Sequence, residues 1–368
     1  MKHINIATTT LMLAVAAYAC SSPPEQPLEQ QSSLSEGATD PARLGQVDVD
    51  FNAAIPGSPS MTGILHGLGA STSVLPPELL RTHVNPLRPA LWRVGRQDTL
   101  PQMLGAGTPR IMFILPELLA ADGRAWGYAD SKTDYDNTPL TTWCAPTKTA
   151  TAKCLAQWDT HLRSVTGYLR TLAASYPQTM FYVDAWNEPD YGYPYVVKPH
   201  DDKNPYAIDD AVGEFVVKVI QDVRKAFGTV PVNVRIGGPS FAYSSSLGSF
   251  QKALSTKVVN GVLPTDTRVD YLTWHELDGD GRLEIANDAN TARTTFAPFG
   301  ITELIVNEFV GPDQQYDSSA VLHAMRLLED GHVSSASRAC WPLYGFPNPP
   351  RPDNPSNCFN GTLERRSV

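Results

Sequence analysis

The chain has 368 residues, a formal net charge of -9 and no basic run anywhere. That balance argues against a nucleic-acid partner, because binding phosphate needs clustered Lys and Arg. With 42% hydrophobic and 18% charged residues, it can build a sizeable core in one large domain or two ordinary ones.

The N-terminus reads "MKHINIATTTLMLAVAAYACSSPPEQ". Lys2 precedes an apolar stretch of signal-peptide length, so residues 1–19 are expected to be an export signal. Ala17 and Ala19 fit an ordinary A-x-A cleavage site, and small residues before Cys20 also resemble a bacterial lipobox. Leu is the usual residue where Ala17 stands. The lipobox reading makes Cys20 a lipid-modified anchor and the product a periplasmic or cell-surface lipoprotein. Residues 20–46 are rich in Ser, Pro, Gln and Glu and read as a disordered tether. No other apolar run approaches the ~20 residues a membrane span needs, so a membrane partner is expected only through the lipid. Four further cysteines, Cys144, Cys154, Cys340 and Cys358, suggest disulfides in an exported chain. Three pairings are open. Cys144 with Cys154 and Cys340 with Cys358 are the local choices, each clipping a loop. No C-x-x-C spacing supports a metal site.

From about residue 60, short apolar runs alternate with helical patterns. The expected strands are 63–69, 90–95, 110–116, 180–189, 232–240, 271–278, 302–309 and 339–345. Several are nearly continuous apolar runs, as parallel strands covered on both faces require. The clearest helix is 155–176, with Leu155, Trp158, Leu162, Val165, Leu169 and Leu172 on one stripe. A second, 206–227, carries Phe215, Val219, Ile220, Val223 and Phe227, with Asp209 and Asp210 near its start. A third is expected over 316–330. Eight strands alternating with helices predict an α/β fold, a (β/α)8 TIM barrel forming a single catalytic domain over 47–368. A doubly wound sheet is the alternative, but no strand-linked G-x-G-x-x-G supports its dinucleotide version. The tail "FPNPPRPDNPSNCFNGTLERRSV" lacks a helical period. The last helix is therefore missing, replaced by a disulfide-clipped loop, or cut from this chain.

In such a barrel the C-terminal ends of strands carry the chemistry. The fourth strand ends in Asn187-Glu188-Pro189 and the seventh in Asn307-Glu308-Phe309. The glutamates lie 308 − 188 = 120 residues apart, three βα units along, so their strands face each other across the mouth. Two converging carboxylates suit glycosidic bond cleavage, one donating a proton and the other attacking the anomeric carbon. Closeness should split their titration, the charge on one raising the pKa of the other. Glu303 competes with Glu308. An odd spacing should put it on the other strand face, and it lies at the wrong end.

"WNEP" on the fourth strand and "NEF" on the seventh resemble clan A of the glycoside hydrolases, retaining (β/α)8 enzymes, over about residues 60 to 345. "HG" in the first strand and "GGPS" after the fifth resemble family 39 of that group, which includes β-xylosidases. The resemblance implies a β-glycosidase acting on a poly- or oligosaccharide by double displacement. Glu188 would be its acid/base, Glu308 its nucleophile and Asn187 its amide for the sugar 2-hydroxyl. It also implies an arginine on the nucleophile, Arg93 or Arg96, and places His275 near the acid/base. The clan's histidine-x-tyrosine pattern is absent, Leu277 standing in the tyrosine position, which leaves open what orients the nucleophile's oxygen.

Trp341, ending the eighth strand, could floor a sugar ring, and His66 could reach it. Trp126, Tyr191, Tyr193 and Tyr195 fall in mouth loops suited to subsites. No cofactor or metal is expected, and the protein is expected to be a monomer whose partner is its carbohydrate. The rival reading is a non-catalytic carbohydrate-binding surface lipoprotein on the same barrel.

Overall fold

A computed structural model of the chain describes residues 63–65, 89–94, 100–116, 118, 152–190, 210–277, 284–311 and 318–339. All of them fall in one unit, Pro59–Gly361. The expected signal peptide and tether, His66, Arg96, the four mouth-loop aromatics, Trp341 and Cys20, Cys144, Cys340 and Cys358 lie outside the described residues.

Eight parallel strands close into a barrel in chain order: β1 (Gly63–Leu65), β2 (Trp92–Val94), β3 (Arg110–Ile114), β4 (Met180–Asp184), β5 (Val234–Phe241), β6 (Leu272–Glu276), β7 (Leu304–Phe309) and β8 (Ser335–Arg338). The predicted (β/α)8 barrel is the fold. Six α-helices are described: α1 (Leu100–Gly105), α2 (Ala152–Ser175), α3 (Asp210–Phe227), α4 (Leu247–Ser255), α5 (Ile285–Phe296) and α6 (Ser318–Asp330). Short 3-10 turns precede α4 and follow α5. Among the described residues, no helix is long and apolar enough to cross a membrane.

The helical stripes are buried much as their periods predict. In α2, Trp158, Leu162, Val165, Leu169 and Leu172 face the barrel, but Leu155, expected at the head of that stripe, is 40% exposed. The helix starts at Ala152, with Cys154 in its first turn. In α3, Phe215, Val219, Ile220, Val223 and Phe227 are all buried.

The eighth strand departs most from expectation. It is Ser335–Arg338, "SASR"; of the apolar run 339–345 expected there, Ala339 follows the strand and the rest lies outside the described residues. Parallel strands with both faces covered are usually recognised by bulky apolar residues. Here the seam with β1 is instead closed by small side chains. A Cβ on Gly63 would overlap the carbonyl oxygen of Ala336, so glycine sets how close the first and last strands come.

Inside the barrel, alternate residues point to the axis and stack in layers. The lower layer is apolar and aromatic: Leu91, Met112, Tyr182, Tyr271 and Ile305. Two residues further along the same strands come Arg93, Asp184, Thr273 and Asn307, all fully buried. A polar layer thus lies directly on an apolar one.

Candidate active site

The polar layer is held by one carboxylate, Asp184. Its Oδ1 accepts from the Thr273 hydroxyl at 3.3 Å. Its Oδ2 accepts from the Asn307 amide at 2.7 Å and from the Ser240 hydroxyl, and lies 3.9 Å from Arg93 Nε. The Ser240 N–H in turn donates to Thr273 Oγ1 at 2.9 Å. A fully buried carboxylate needs such donors and a counter-charge to remain tolerable. Burial still dominates and pushes Asp184 up to about 7, against the pull of Arg93 and of the hydroxyl donors.

Glu308 reaches this layer through an irregularity in β7. His275 pairs with Glu308 and Trp274 with Val306, so Asn307 is an extra residue on that strand, and the β7–β8 ladder slips at the same place. Two consecutive side chains therefore project inward: Asn307 onto Asp184, and Glu308 onto Arg93. The slip overturns one part of the sequence reasoning. Glu303 is not on the opposite face from Glu308, since it accepts a hydrogen bond from Tyr182 of the inner aromatic layer at 2.7 Å. It is separated from Glu308 by its position at the base of the barrel.

Glu188 lies four residues past the end of β4, in a loop rather than on the strand expected to run to 189. Three contacts fix that loop. Trp186 is buried between α2 and α3, 6.4 Å from the Trp158 ring and 4.9 Å edge-on to Phe215. The Glu188 N–H donates to the Ser240 carbonyl at 2.9 Å. Asp190 accepts from the backbone N–H groups of Ala242 and Tyr243 and from Ser246 Oγ, at 2.9, 3.3 and 2.5 Å. Glu188 and Ser240 both occupy left-handed backbone, φ 46° and 51°, and Val310 does so at 72°. Each such residue costs on the order of 1–3 kcal/mol, supported by the structure around it.

The structure brings five of the sequence-selected residues together. Arg93 Nη1 donates to Glu308 Oε1 at 2.6 Å, and Nη2 to Asn187 Oδ1 at 2.5 Å. Arg93 is therefore a guanidinium on Glu308, in the absence of the histidine-x-tyrosine pattern. His275 stands between the carboxylates, its Nδ1 3.0 Å from Glu188 Oε1 and its Nε2 3.7 Å from Glu308 Oε1. One donor atom from each of Glu188, His275 and Glu308 lies within 4.8 Å of the others. That trio could hold an ion, but Arg93 already supplies Glu308 with the positive charge a cation would bring.

Burial raises the pKa of Glu188, and Arg93 offsets part of that rise. The larger cause is desolvation, not the neighbouring carboxylate that sequence reasoning invoked. Burial also pushes His275 down to about 4, against the pull of Glu308 and with a further push from Arg93. The imidazole is therefore neutral near pH 7 and carries a single N–H. A protonated Glu188 donating to Nδ1 would leave that N–H on Nε2, facing Glu308.

No family model matches the chain, and no curated protein does. Solved structures do. The structure of N2152 from Neocallimastix frontalis superposes with a TM-score of 0.50 at 16% identity, covering 78% of this chain and 62% of that one. A glucosidase from Croceicoccus marinus gives 0.49 at 13% identity, covering 76% and 60%. A GH5-4 broad specificity endoglucanase from Clostridium longisporum gives 0.45 at 9% identity, covering 75% and 85%. The likeness is one of fold. The chain spans about three fifths of the length of the first two proteins it matches. The similar structures include glycoside hydrolases, whereas a specific likeness to family 39 is not among these findings.

Sequence reasoning assigned no role to Asp184, Ser240, Thr273, Asn307 or Asp190. One signal was present: a lone carboxylate inside the apolar run "MFYVDAW" has to find partners across the barrel.

Proposed function

We propose that the protein is a retaining β-glycosidase acting on an oligo- or polysaccharide. Glu188 protonates the departing oxygen while Glu308 attacks the anomeric carbon and forms a glycosyl ester. Water then attacks that carbon, with Glu188 taking its proton. The observation that carries this reading is the approach of Glu188 and Glu308 to within 4.8 Å, with Arg93 on one and His275 on the other. Inverting enzymes keep their carboxyl groups about 6.5–9.5 Å apart to seat a water, and retaining ones about 5–5.5 Å. The short approach favours retention.

The surroundings suit these roles. Arg93 sets a guanidinium against Glu308, and burial favours the protonated form of Glu188. Asn187 spends its oxygen on Arg93, which leaves its amide N–H groups to donate to a sugar hydroxyl. The export signal and the small residues before Cys20 support an exported, lipid-anchored protein.

The test is turnover of aryl β-glycosides, followed by NMR of the first-formed anomer. Wild type should turn over with retention. Glu188→Gln should respond to azide on a substrate with a good leaving group, and Glu308→Gln should be inactive. An inverted product rejects the retaining mechanism. Inactivity of all three proteins on a broad panel, together with saccharide binding by wild type, supports the non-catalytic lipoprotein instead. Labelled fatty acid incorporated by wild type but not by Cys20→Ala would establish the anchor.

A further inference from the structure

Asp184 is fully buried beneath the two glutamates, and the mechanism above gives it nothing to do. Its contacts lead to both. Through the Asn307 amide it holds the extra residue of β7, the one that turns Glu308 inward. Through the Ser240 hydroxyl it holds the residue whose carbonyl accepts the Glu188 N–H. Through Arg93, whose Nε lies 3.9 Å away, it shares the guanidinium that donates to Glu308 and to Asn187. Two local departures from regular backbone touch this carboxylate, the slip in β7 and the left-handed Ser240, and a third, the left-handed Glu188, is tied to Ser240 through its carbonyl.

We propose that Asp184 is a positioning residue common to both glutamates, its buried carboxylate aiming Glu308 and Glu188 at one point and holding the proton on Glu188. The proposal rests on the glycosidase reading for its kinetic consequences but not for its geometry. The positioning follows from the hydrogen bonds. The charge effect follows from sharing Arg93. When Asp184 is ionised, Arg93 is divided between two carboxylates and pulls less strongly on the proton of Glu188. The charged and titratable groups facing Asp184 are Arg93 from β2, Glu308 from β7, and Tyr271 from the segment entering β6. Thr273 of β6 and Ser240 of β5 add hydroxyl donors.

The variants are Asp184→Asn, which keeps the shape and removes the charge, and Ser240→Ala, which keeps the carboxylate and removes one donor. Each is studied in the exported chain from residue 20 onward. The Glu188 titration is followed by ¹³C NMR of labelled glutamate carboxyls, which needs no turnover, and kcat and KM are measured from pH 4 to 9. In Asp184→Asn the Glu188 midpoint should move to lower pH by on the order of one unit. The alkaline limb of kcat/KM should move with it. Near pH 8, kcat should fall about 10–100-fold with KM changed far less, as misaimed groups cause. Ser240→Ala should move the midpoint the same way by a smaller amount.

A folded Asp184→Asn with an unmoved Glu188 titration and kcat within about twofold of wild type overturns the proposal. If Asp184→Asn does not fold, an unmoved titration in Ser240→Ala overturns it. If the titrations move but wild type turns over no glycoside, the positioning claim stands and the glycosidase reading fails.

Discussion

Two adjacent layers of one barrel solve the same packing problem in opposite ways. The lower layer of Leu91, Met112, Tyr182, Tyr271 and Ile305 is apolar and aromatic, and Tyr182 meets Tyr271 edge-on at 5.0 Å. At its level β3 pairs with β4 and β4 with β5 in regular register. The layer above buries Arg93, Asp184, Thr273 and Asn307, carries a slipped strand, and supports two residues of left-handed backbone. One layer gains stability from apolar area. The other bears the cost of desolvating charges, which is tolerable because each finds a partner within the same ring. The contrast separates what makes this chain a barrel from what could make it an enzyme.

The sharpest way to break the comparison is to remove chemistry from the upper layer without touching the lower. Glu308→Gln should lower kcat by at least about 10³-fold, while the melting temperature stays close to that of wild type. Arg93→Ala comes next. It leaves Glu308 and Asp184 buried without their cation and should cost about 3–5 kcal/mol in stability, read by urea denaturation, along with most activity.

Acid offers a third test. The folded-state pKa of His275 is depressed to about 4 from an ordinary 6.5, so its unfolded form takes up a proton first. That stability is complete above pH 6.5 and is lost as pH falls toward 4. Asp184 runs the other way. Its folded pKa of about 7 stands above its ordinary 3.8, so its contribution is greatest below pH 3.8 and declines as pH rises toward 7. Removing either group should therefore tilt the stability profile between pH 4 and 7 in opposite senses. Relative to wild type, His275→Gln should gain as pH falls, and Asp184→Asn should gain as pH rises. Urea melts at three pH values measure both. The smallest effect belongs to the lower layer. Tyr182→Phe removes the hydroxyl that donates to Glu303 and should cost about 1 kcal/mol, with kcat unchanged.

The division between layers also explains what could be read in advance. β3, β4 and the first half of β7 are bulky apolar runs, and their places in the barrel follow from that, although the slip at Asn307 does not. The glutamates were legible because each follows such a run and their separation of three βα units places both at one barrel mouth. β8 was not, because Ser-Ala-Ser-Arg earns its burial from the close approach that Gly63 permits, a property of the closed ring rather than of the segment. The polar layer was hidden for a similar reason. Hydroxyl and amide residues carry no period, and Asp184, Ser240, Thr273 and Asn307 acquire a common role only when β4, β5, β6 and β7 stand side by side. The exit from β4 was misread as strand because Trp186 looks like one more core residue of a continuing run. It is buried, but between two helices.

The surplus residue in β7 has a practical corollary for anyone redesigning this protein. Strict alternation gives a strand one axial position in every two, so a regularised seventh strand could present the amide or the acid, but not both in succession. Deleting Val306 would leave a smoother sheet in which Asn307 takes the outward place of Val306 while Glu308 keeps its pairing with His275, so the amide would be lost from Asp184. Sequence designs that reward ideal strands would discard this residue first.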